Sequence, residues 1–276
     1  MSGISRDEAF LRNGWLQIDL ASRKTLDAVR TGLLELLRRD YPAMEDLESY
    51  HRHVLGDDEH IAVQKRLFDW FIASGHGPAI VGENLAFFRD LLGPDLHVQT
   101  SPYLRIVRPA KPGDNVNIHR DTHYGGSPYE LSVHVPFTDC GLAGSLALIP
   151  GSHVEADGAY PYEQIVDPTT PKGSVKHQLG FTYAPKVMQP ADLAKLTPIE
   201  TRFGQALVFS LSAVHGQVVN SSTVTRFSTD VRVVHSHAPI DWARNEATGY
   251  YRPLSRSAVS AAAEAYFAAD AAYKTK

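Results

Sequence analysis

The first part of the chain carries its apolar side chains at the spacing of amphipathic helices. Apolar positions three and four residues apart follow Ser22, a candidate helix cap, at Leu26, Val29, Leu33 and Leu36. Two similar segments cover residues 61–74 and 84–94, and residues 14–20 form a short apolar strand ahead of all three. The pattern predicts a mainly helical layer over residues 1–96.

Residues 97–238 change to an alternation of apolar and polar positions, which is typical of strands. Six segments show it, separated by clusters of Gly, Pro and Asp: residues 102–109, 115–121, 129–137, 145–150, 205–215 and 226–237. Strands that follow one another without long helices between them predict an antiparallel sandwich or barrel. The fold class is therefore mainly β, with the helices packed outside.

Two segments depart from this alternation. Residues 154–200 are too long for a turn and rich in Pro, Tyr, Lys and His, so they are predicted to be a lid inserted in the β core. Residues 239–276 form a helical tail, whose Ala-rich part at 255–273 predicts a C-terminal helix packed on the outside through Val259, Tyr266 and Phe267. The whole chain, 1–276, is interpreted as one domain.

Composition narrows the possible functions. The chain is 43% hydrophobic and 21% charged with a formal net charge of −4, which favours neither nucleic acid nor an anionic membrane as a partner. No signal peptide and no apolar segment long enough to span a bilayer is visible. Cys140 is the only cysteine, which excludes an internal disulfide framework and a multi-thiolate zinc site. The protein is predicted to be cytoplasmic.

Candidate metal chemistry lies in residues 115–121, NVNIHRD. As a strand, this segment places Val116 and Ile118 on one face and polar side chains on the other, at Asn115, Asn117, His119 and Asp121. His119 and Asp121 would lie side by side and bind one ion. The best candidate for a third ligand is His215, at the end of an apolar strand. Two histidines and one carboxylate suit non-haem Fe(II), with positions open for a chelating cosubstrate and O2.

A chelating keto acid such as 2-oxoglutarate also needs a cation for its distal carboxylate. Arg226 lies eleven residues after His215, and it shares a strand face with Ser228, Asp230 and Arg232. An arginine followed two residues later by a hydroxyl offers a bidentate fork and a further donor to one carboxylate. Arg232 is expected to pair with Asp230 or another acid.

These motifs together resemble the Fe(II)/2-oxoglutarate-dependent oxygenases, most closely the phytanoyl-CoA dioxygenase-like family. The matching segments are His119-Arg120-Asp121, SLALIPGSH at 145–153, and HGQVVNSSTVTRFS at 215–228. The resemblance implies a double-stranded β-helix, or jelly-roll, core. It also implies decarboxylation of 2-oxoglutarate to succinate and oxidation of an unactivated C–H bond.

The same resemblance assigns roles to individual residues. It makes His119, Asp121 and His215 the catalytic iron ligands and Arg226 the anchor for 2-oxoglutarate, with Ser228 and Asn117 as further cosubstrate contacts. Halogenating relatives lack the ligand carboxylate, so the presence of Asp121 argues against halogenation.

Five side chains are candidates for substrate binding: Arg105, Tyr103, Arg120, His134 and Tyr124. Three of them have a purely structural alternative. Arg105 is equally well explained as an ion-pair partner inside the barrel, and His134 as a satisfied histidine at the sheet surface. Arg120 points away from the iron ligands if its strand is regular. Together they favour a polar small-molecule substrate.

The function predicted from these observations is an Fe(II)- and 2-oxoglutarate-dependent dioxygenase that hydroxylates a polar small molecule. Desaturation, ring formation and epimerisation start from the same hydrogen abstraction and are not separated by the sequence. Two alternatives stay open: a non-oxidative cupin-type metal enzyme such as a sugar isomerase or epimerase, and a jelly-roll small-molecule-binding protein. Both predict that no succinate is released. The Ala-rich helix also offers a surface for a homodimer.

Overall fold

The computed structural model describes residues 4–163, 174–179, 186–187, 189–217 and 219–274. The helices of the N-terminal part are α1 (Arg6–Asn13), α2 (Lys24–Arg38), α3 (Asp57–Ala73), α4 (His76–Glu83) and α5 (Leu85–Leu92). Of these, α2, α3 and α5 confirm the predicted helices. The prediction lacks α1, which has no buried residue, and α4, which contains Gly77, Pro78 and Gly82. The N-cap position of α2 is Arg23 and not Ser22, although the Ser22 hydroxyl accepts the Lys24 amide at 3.4 Å. The carboxylate of Glu83 in α4 accepts the Thr25 amide at 3.1 Å.

Antiparallel strands form the core. They are β1 (Trp15–Asp19), β2 (Leu96–Gln99), β3 (Tyr103–Val107), β4 (Glu130–Pro136), β5 (Ala147–Leu148), β6 (Tyr162–Glu163), β7 (Lys186–Val187), β8 (Thr197–Pro198), β9 (Gln205–Ser210), β10 (His215–Gly216), β11 (Arg226–His235) and β12 (Tyr251–Ser255). A large sheet has the order β1-β9-β4-β11-β2-β12, and β3 pairs with β11 beside β2. A small sheet has the order β10-β5-β8, and β6 pairs with β7. Leu148 of the small sheet packs in one cluster with Leu207 and Phe209 of the large sheet. This pair of facing sheets confirms the jelly-roll core.

The two faces of the large sheet differ in chemistry. Alternate residues of β3, β4 and β11 join the helices in the main hydrophobic cluster: Leu104, Ile106, Leu131, Val133, Val135, Phe227, Val231 and Val233. Helix α2 contributes Leu26, Val29, Leu33 and Leu37 to the same cluster. Each such side chain stabilises the fold by about 1.5–3 kcal/mol when fully buried. The opposite, polar face of these strands is therefore turned away from the helices and toward the small sheet.

The prediction of a strand over residues 115–121 is wrong. A 3₁₀ turn covers Pro112–Asp114, another covers Asp121–Tyr124, and between them only a single β-bridge forms, from His119 to His215. The chain turns at Asp121 because the amides of Asp121 and Thr122 both donate to the Leu211 carbonyl. Likewise, the predicted strand over 205–215 is interrupted after Ser210, and β10 restarts at His215.

The C-terminal segment contains more than the predicted helical tail. Helix α8 (Trp242–Thr248) is followed by β12, which pairs with β2 in the large sheet, and then by α9 (Ala258–Lys274). The apolar edge of α9 is not packed as expected, because its aromatic and aliphatic side chains are largely exposed at Val259, Tyr266 and Phe267. Dimerisation through this helix stays a prediction.

Part of the predicted lid over 154–200 lies outside the described residues. Its described pieces include β6, β7, β8 and two single-turn helices, α6 (Val175–Gln178) and α7 (Pro190–Leu193). Among the helices in the described ranges, none combines the length and the apolar character that a membrane crossing requires.

Candidate metal centre and its cavity

Two buried histidines face each other across the β-bridge between residues 119 and 215. The amide of each donates to the carbonyl of the other, at 2.9 and 2.8 Å, and the imidazole centroids lie 4.4 Å apart. His119 Nδ1 donates to the Asn117 carbonyl, and His215 Nδ1 donates to the Ala213 carbonyl at 2.9 Å. Since a carbonyl can only accept, both rings carry their proton on Nδ1, which leaves each Nε2 lone pair for a metal.

Asp121 completes the donor set. Its Oδ1 lies 3.4 Å from His119 Nε2, its Oδ2 lies 3.7 Å from His215 Nε2, and one ligand atom from each of the three residues falls within 4.8 Å of the others. Two imidazole nitrogens and one carboxylate oxygen fit non-haem Fe(II). The three residues therefore fit an iron ion by the chemistry of their donor atoms and because both imidazoles leave Nε2 unprotonated.

Electrostatics keeps His215 and Asp121 in the protonation states that bind a cation. Burial lowers the pKa of His215 to about 4, so its ring is neutral at pH 7. Burial alone would raise the pKa of Asp121, but Arg232 and His215 outweigh it and hold this pKa well below its usual range. Arg232 Nη1 lies 2.5 Å from Asp121 Oδ2. The acid that Arg232 pairs with is thus the candidate metal ligand itself.

A buried and uncompensated cation lies deeper along β11. The Arg226 guanidinium is 6% exposed, and its Nη1 donates to the Gly144 carbonyl at 3.3 Å. Among the described residues it has no ion-pair partner, and its Nε has no hydrogen-bond acceptor. The hydroxyl of Ser228 and the amide oxygen of Gln217 are also buried without a partner. Unpaired buried polar groups are costly, so this cluster is arranged for a ligand, and its donors suit a carboxylate.

One cavity of about 760 Å³ connects the two ends of this site. Its lining includes the three candidate ligands, Arg226, Gln217 and four of the predicted substrate residues, Tyr103, Arg105, Tyr124 and His134. Asn117, Arg120 and Ser228 are not among the lining residues. A volume of this size accommodates a small-molecule ligand together with a cosubstrate.

The family model described as phytanoyl-CoA dioxygenase (PhyH) matches residues 10–228. The chain belongs to this family. It thus belongs to the non-haem iron- and 2-oxoglutarate-dependent oxygenases that its motifs resemble. No curated protein matches the chain.

Solved structures of non-haem enzymes are similar to this phytanoyl-CoA dioxygenase family member. The apo form of the non-haem monooxygenase ThoJ has 21% sequence identity and a TM-score of 0.52, over 83% of this chain and 77% of ThoJ. EvdO2 from Micromonospora carbonacea var. aurantiaca, complexed with 2-oxoglutarate, has 14% identity and a TM-score of 0.47, over 87% and 96%. The carbocyclase SnoK from nogalamycin biosynthesis has 15% identity and a TM-score of 0.46, over 84% and 85%.

Three predicted substrate residues form the wall of the cavity on the large sheet. Arg105 lies over the ring of Tyr103 at 4.6 Å and donates to the Leu179 carbonyl at 2.8 Å. Arg105 Nε is also 3.8 Å from Asp230, and His134 Nδ1 is 2.8 Å from the same carboxyl group. The ion-pair alternative for Arg105 and the satisfied-histidine alternative for His134 are thus both present in the geometry, although both side chains line the cavity.

The other sequence-predicted residues lie in different surroundings. Tyr124 packs edge-on against the ring of His119 with centroids 5.2 Å apart. Asn117 holds that ring through its main-chain carbonyl, and Arg120 is fully buried outside the cavity. Substrate binding by Arg120 therefore has no support from its position.

Several residues of the cavity escape prediction from sequence. Ser132 in β4 and Gln217, directly after β10, are ordinary polar residues that only their unpaired buried atoms distinguish. Residues of α8 and its approach also line the cavity, at Pro239, Ile240, Asp241, Arg244, Asn245 and Thr248. The helical pattern of this segment shows that it forms a helix but not where the helix packs.

Proposed function

We propose that this protein is an Fe(II)- and 2-oxoglutarate-dependent dioxygenase that hydroxylates a C–H bond of a polar small molecule. The observation that carries the proposal is the pairing, in one cavity, of the His119-Asp121-His215 cluster with the uncompensated Arg226. A sugar isomerase would need the metal ligands but not a buried, unpaired arginine beside a free hydroxyl.

Each residue has a defined task in this proposal. His119, Asp121 and His215 hold the iron, and the Nδ1 bonds of the two rings to main-chain carbonyls keep their Nε2 atoms oriented. Arg226 and Ser228 bind the distal carboxylate of 2-oxoglutarate. When bound there, iron and 2-oxoglutarate supply the oxidation with O2, in which one oxygen atom enters succinate, CO2 is released, and the other oxygen atom enters the substrate.

The protein surrounds the candidate metal ligands with a mainly buried wall, and the cavity has an exposed mouth beside α8. The aliphatic and aromatic side chains of Leu146, Phe209 and Leu211 line the cavity beside the metal ligands and exclude water from them. Tyr103, Arg105, His134 and Tyr124 present polar groups to the same space, which supports a polar substrate. Hydroxylation is the simplest outcome of oxygen delivery to a substrate held in this way.

Anaerobic titration with Fe(II) and 2-oxoglutarate tests the proposal. The chelate gives a weak visible charge-transfer band, which we expect in the wild type. Removing one partner of a buried charged pair costs about 2–5 kcal/mol, so Arg226→Ala should weaken 2-oxoglutarate binding by about 30-fold or more. Arg202→Ala, which removes an exposed arginine, is the matched control and should leave the band unchanged.

Two results would contradict this assignment. The absence of a band in the wild type excludes the oxygenase chemistry, and an unaltered band in Arg226→Ala at low 2-oxoglutarate excludes Arg226 as the anchor. A screen of candidate metabolites for stimulated succinate release then identifies the substrate.

A further inference from the structure

A second charged cluster occupies the cavity wall between the metal ligands and Arg226. Asp230 of β11 lies opposite His134 in β4 and opposite Tyr103 in β3. Its carboxyl group contacts His134 Nδ1 at 2.8 Å and Arg105 Nε at 3.8 Å. All of these side chains line the cavity, and none of them belongs to the metal cluster or to the Arg226 anchor.

Asp230 is the only carboxylate among the described residues that forms an ion pair with Arg105. This guanidinium also contacts the Leu179 carbonyl and the face of the Tyr103 ring, and neither of these groups carries a net charge that would neutralise a cation. Arg105 lies directly opposite Ser228 in the sheet register, two residues from Arg226. Without Asp230, the cavity would therefore contain two uncompensated buried arginines on neighbouring strands.

With Asp230 in place, two of the three buried or partly buried arginines that line the described cavity have a carboxylate partner. Arg232 is paired with Asp121 and Arg105 with Asp230, so Arg226 is left as the one buried arginine of the lining without an ion pair. Away from the metal ligands, a dicarboxylate that enters this cavity then meets Arg226 as the one buried arginine of the described lining without a counter-ion. Arg244, at the exposed mouth, is screened by solvent and does not compete.

We propose that Asp230 is a specificity-determining residue that neutralises Arg105, confines 2-oxoglutarate to Arg226, and keeps the remaining wall for an uncharged, hydroxyl-bearing part of the substrate. This inference rests on the proposed function. Burial alone would raise the pKa of Asp230, but His134 and Arg105 outweigh it and keep the carboxylate ionised.

The groups left free on this wall match an uncharged substrate. The hydroxyl of Ser132 is buried, lines the cavity and has no hydrogen-bond partner. The Nε2 atom of His134 takes no part in the bond to Asp230. The Ser132 hydroxyl can donate one hydrogen bond and accept others, and Nε2 of a neutral His134 ring that donates from Nδ1 to Asp230 can accept one. These groups suit substrate hydroxyls, whereas an anionic group would find no free cation on this wall.

Calorimetric titration of 2-oxoglutarate into the Mn(II)-loaded protein tests the role of Asp230. The wild type should bind one 2-oxoglutarate per chain, and Asp230→Asn should bind a second, because Arg105 is then uncompensated. The double variant Asp230→Asn/Arg105→Gln should return to one, and Asp230→Glu, which keeps the charge, should bind one. A wild type that binds two, or an Asp230→Asn variant that binds only one, overturns the proposal.

Formate provides a test that does not depend on 2-oxoglutarate. Asp230→Ala leaves space for a small carboxylate beside Arg105, so formate should raise the melting temperature of this variant more than that of Asp230→Ala/Arg105→Gln, in which only Arg226 can bind it. Equal responses of the two variants overturn the proposal. A wild type that fails to bind 2-oxoglutarate would refute the proposed function, while the formate comparison would still decide whether Asp230 neutralises Arg105.

Discussion

Arg120 lies between two candidate metal ligands in the sequence, and its surroundings indicate a structural role that a substitution can test. The guanidinium is fully buried, donates to the Ser152 carbonyl at 2.5 Å and to Asp157 at 3.1 Å, and lies 4.9 Å from the ring of Tyr160. Arg120→Met removes the charge and keeps the aliphatic stem. Asp157→Asn, the matched control, removes only the charge of the partner.

The contacts set the expected loss of stability. A hydrogen bond from a charged donor contributes about 1.5–3 kcal/mol, and its loss leaves the buried Ser152 carbonyl without its guanidinium donor. The Asp157 side chain is 68% exposed, so its ion pair with Arg120 adds at most about 1 kcal/mol. Arg120 Nε is buried without a partner, and removing it offsets part of the cost. We therefore expect Arg120→Met to lower the free energy of unfolding by about 2–3 kcal/mol, and Asp157→Asn by less than about 1 kcal/mol.

Urea unfolding followed by circular dichroism measures both changes. Since Arg120 fixes the main chain between His119 and Asp121 to the Ser152 turn, Arg120→Met should also weaken Mn(II) binding by about tenfold. An unfolding free energy equal to that of the wild type, together with loss of substrate-stimulated succinate release, would refute the structural role. It would support the original expectation that Arg120 binds substrate.

Two further predictions follow from close contacts and from burial. A Cβ atom on Gly216 would lie 2.9 Å from the main chain of Ile118, so Gly216→Ala should separate the two sides of the β-bridge between His119 and His215. Calorimetry should then show Mn(II) binding weakened at least tenfold. In the control variant Gly158→Ala the added Cβ meets open space, so Mn(II) binding should not change. Burial lowers the pKa of His60 from 6.5 to about 4 in the folded protein. As the pH falls, His60 is therefore protonated in the unfolded chain before it is protonated in the folded one, which favours unfolding. Stability should be complete above pH 6.5 and decrease by about 3 kcal/mol between pH 6.5 and 4, and His60→Gln should reduce this slope in urea unfolding; an unchanged slope would contradict it.

The metal ligands could be predicted from the sequence even though the secondary structure predicted for their segment was wrong. The sequence predicts a strand at 115–121, whereas the structure has one bridge followed by a 3₁₀ turn. His119 and Asp121 still converge, because the turn at Asp121 swings its carboxylate toward both imidazoles. Spacing along the chain identified the residue types, but the geometry depends on the main-chain bonds to Leu211 and His215.

The polar face of β11 could also be predicted from the sequence. The ion-pair partners of its side chains could not. Strand periodicity alone places Arg226, Ser228, Asp230 and Arg232 together. It does not determine that Arg232 contacts Asp121 while Asp230 contacts Arg105, because each pair joins segments that are far apart in the sequence. The α8 residues of the cavity are missing from the prediction for the same reason, since tertiary packing and not local pattern places them.

The ion pairs of the cavity, which the sequence does not predict, show which arginine is left for a ligand. A buried charge is tolerated when it has a counter-ion, so Arg105 and Arg232 are explained by carboxylates of the protein itself. Arg226 is more deeply buried than either of them and has no such counter-ion among the described residues. A bound carboxylate would supply the negative charge that its guanidinium lacks there. A dianionic cosubstrate supplies it, which is why the unpaired arginine, more than the metal ligands, separates an oxygenase from the other metal-binding jelly rolls.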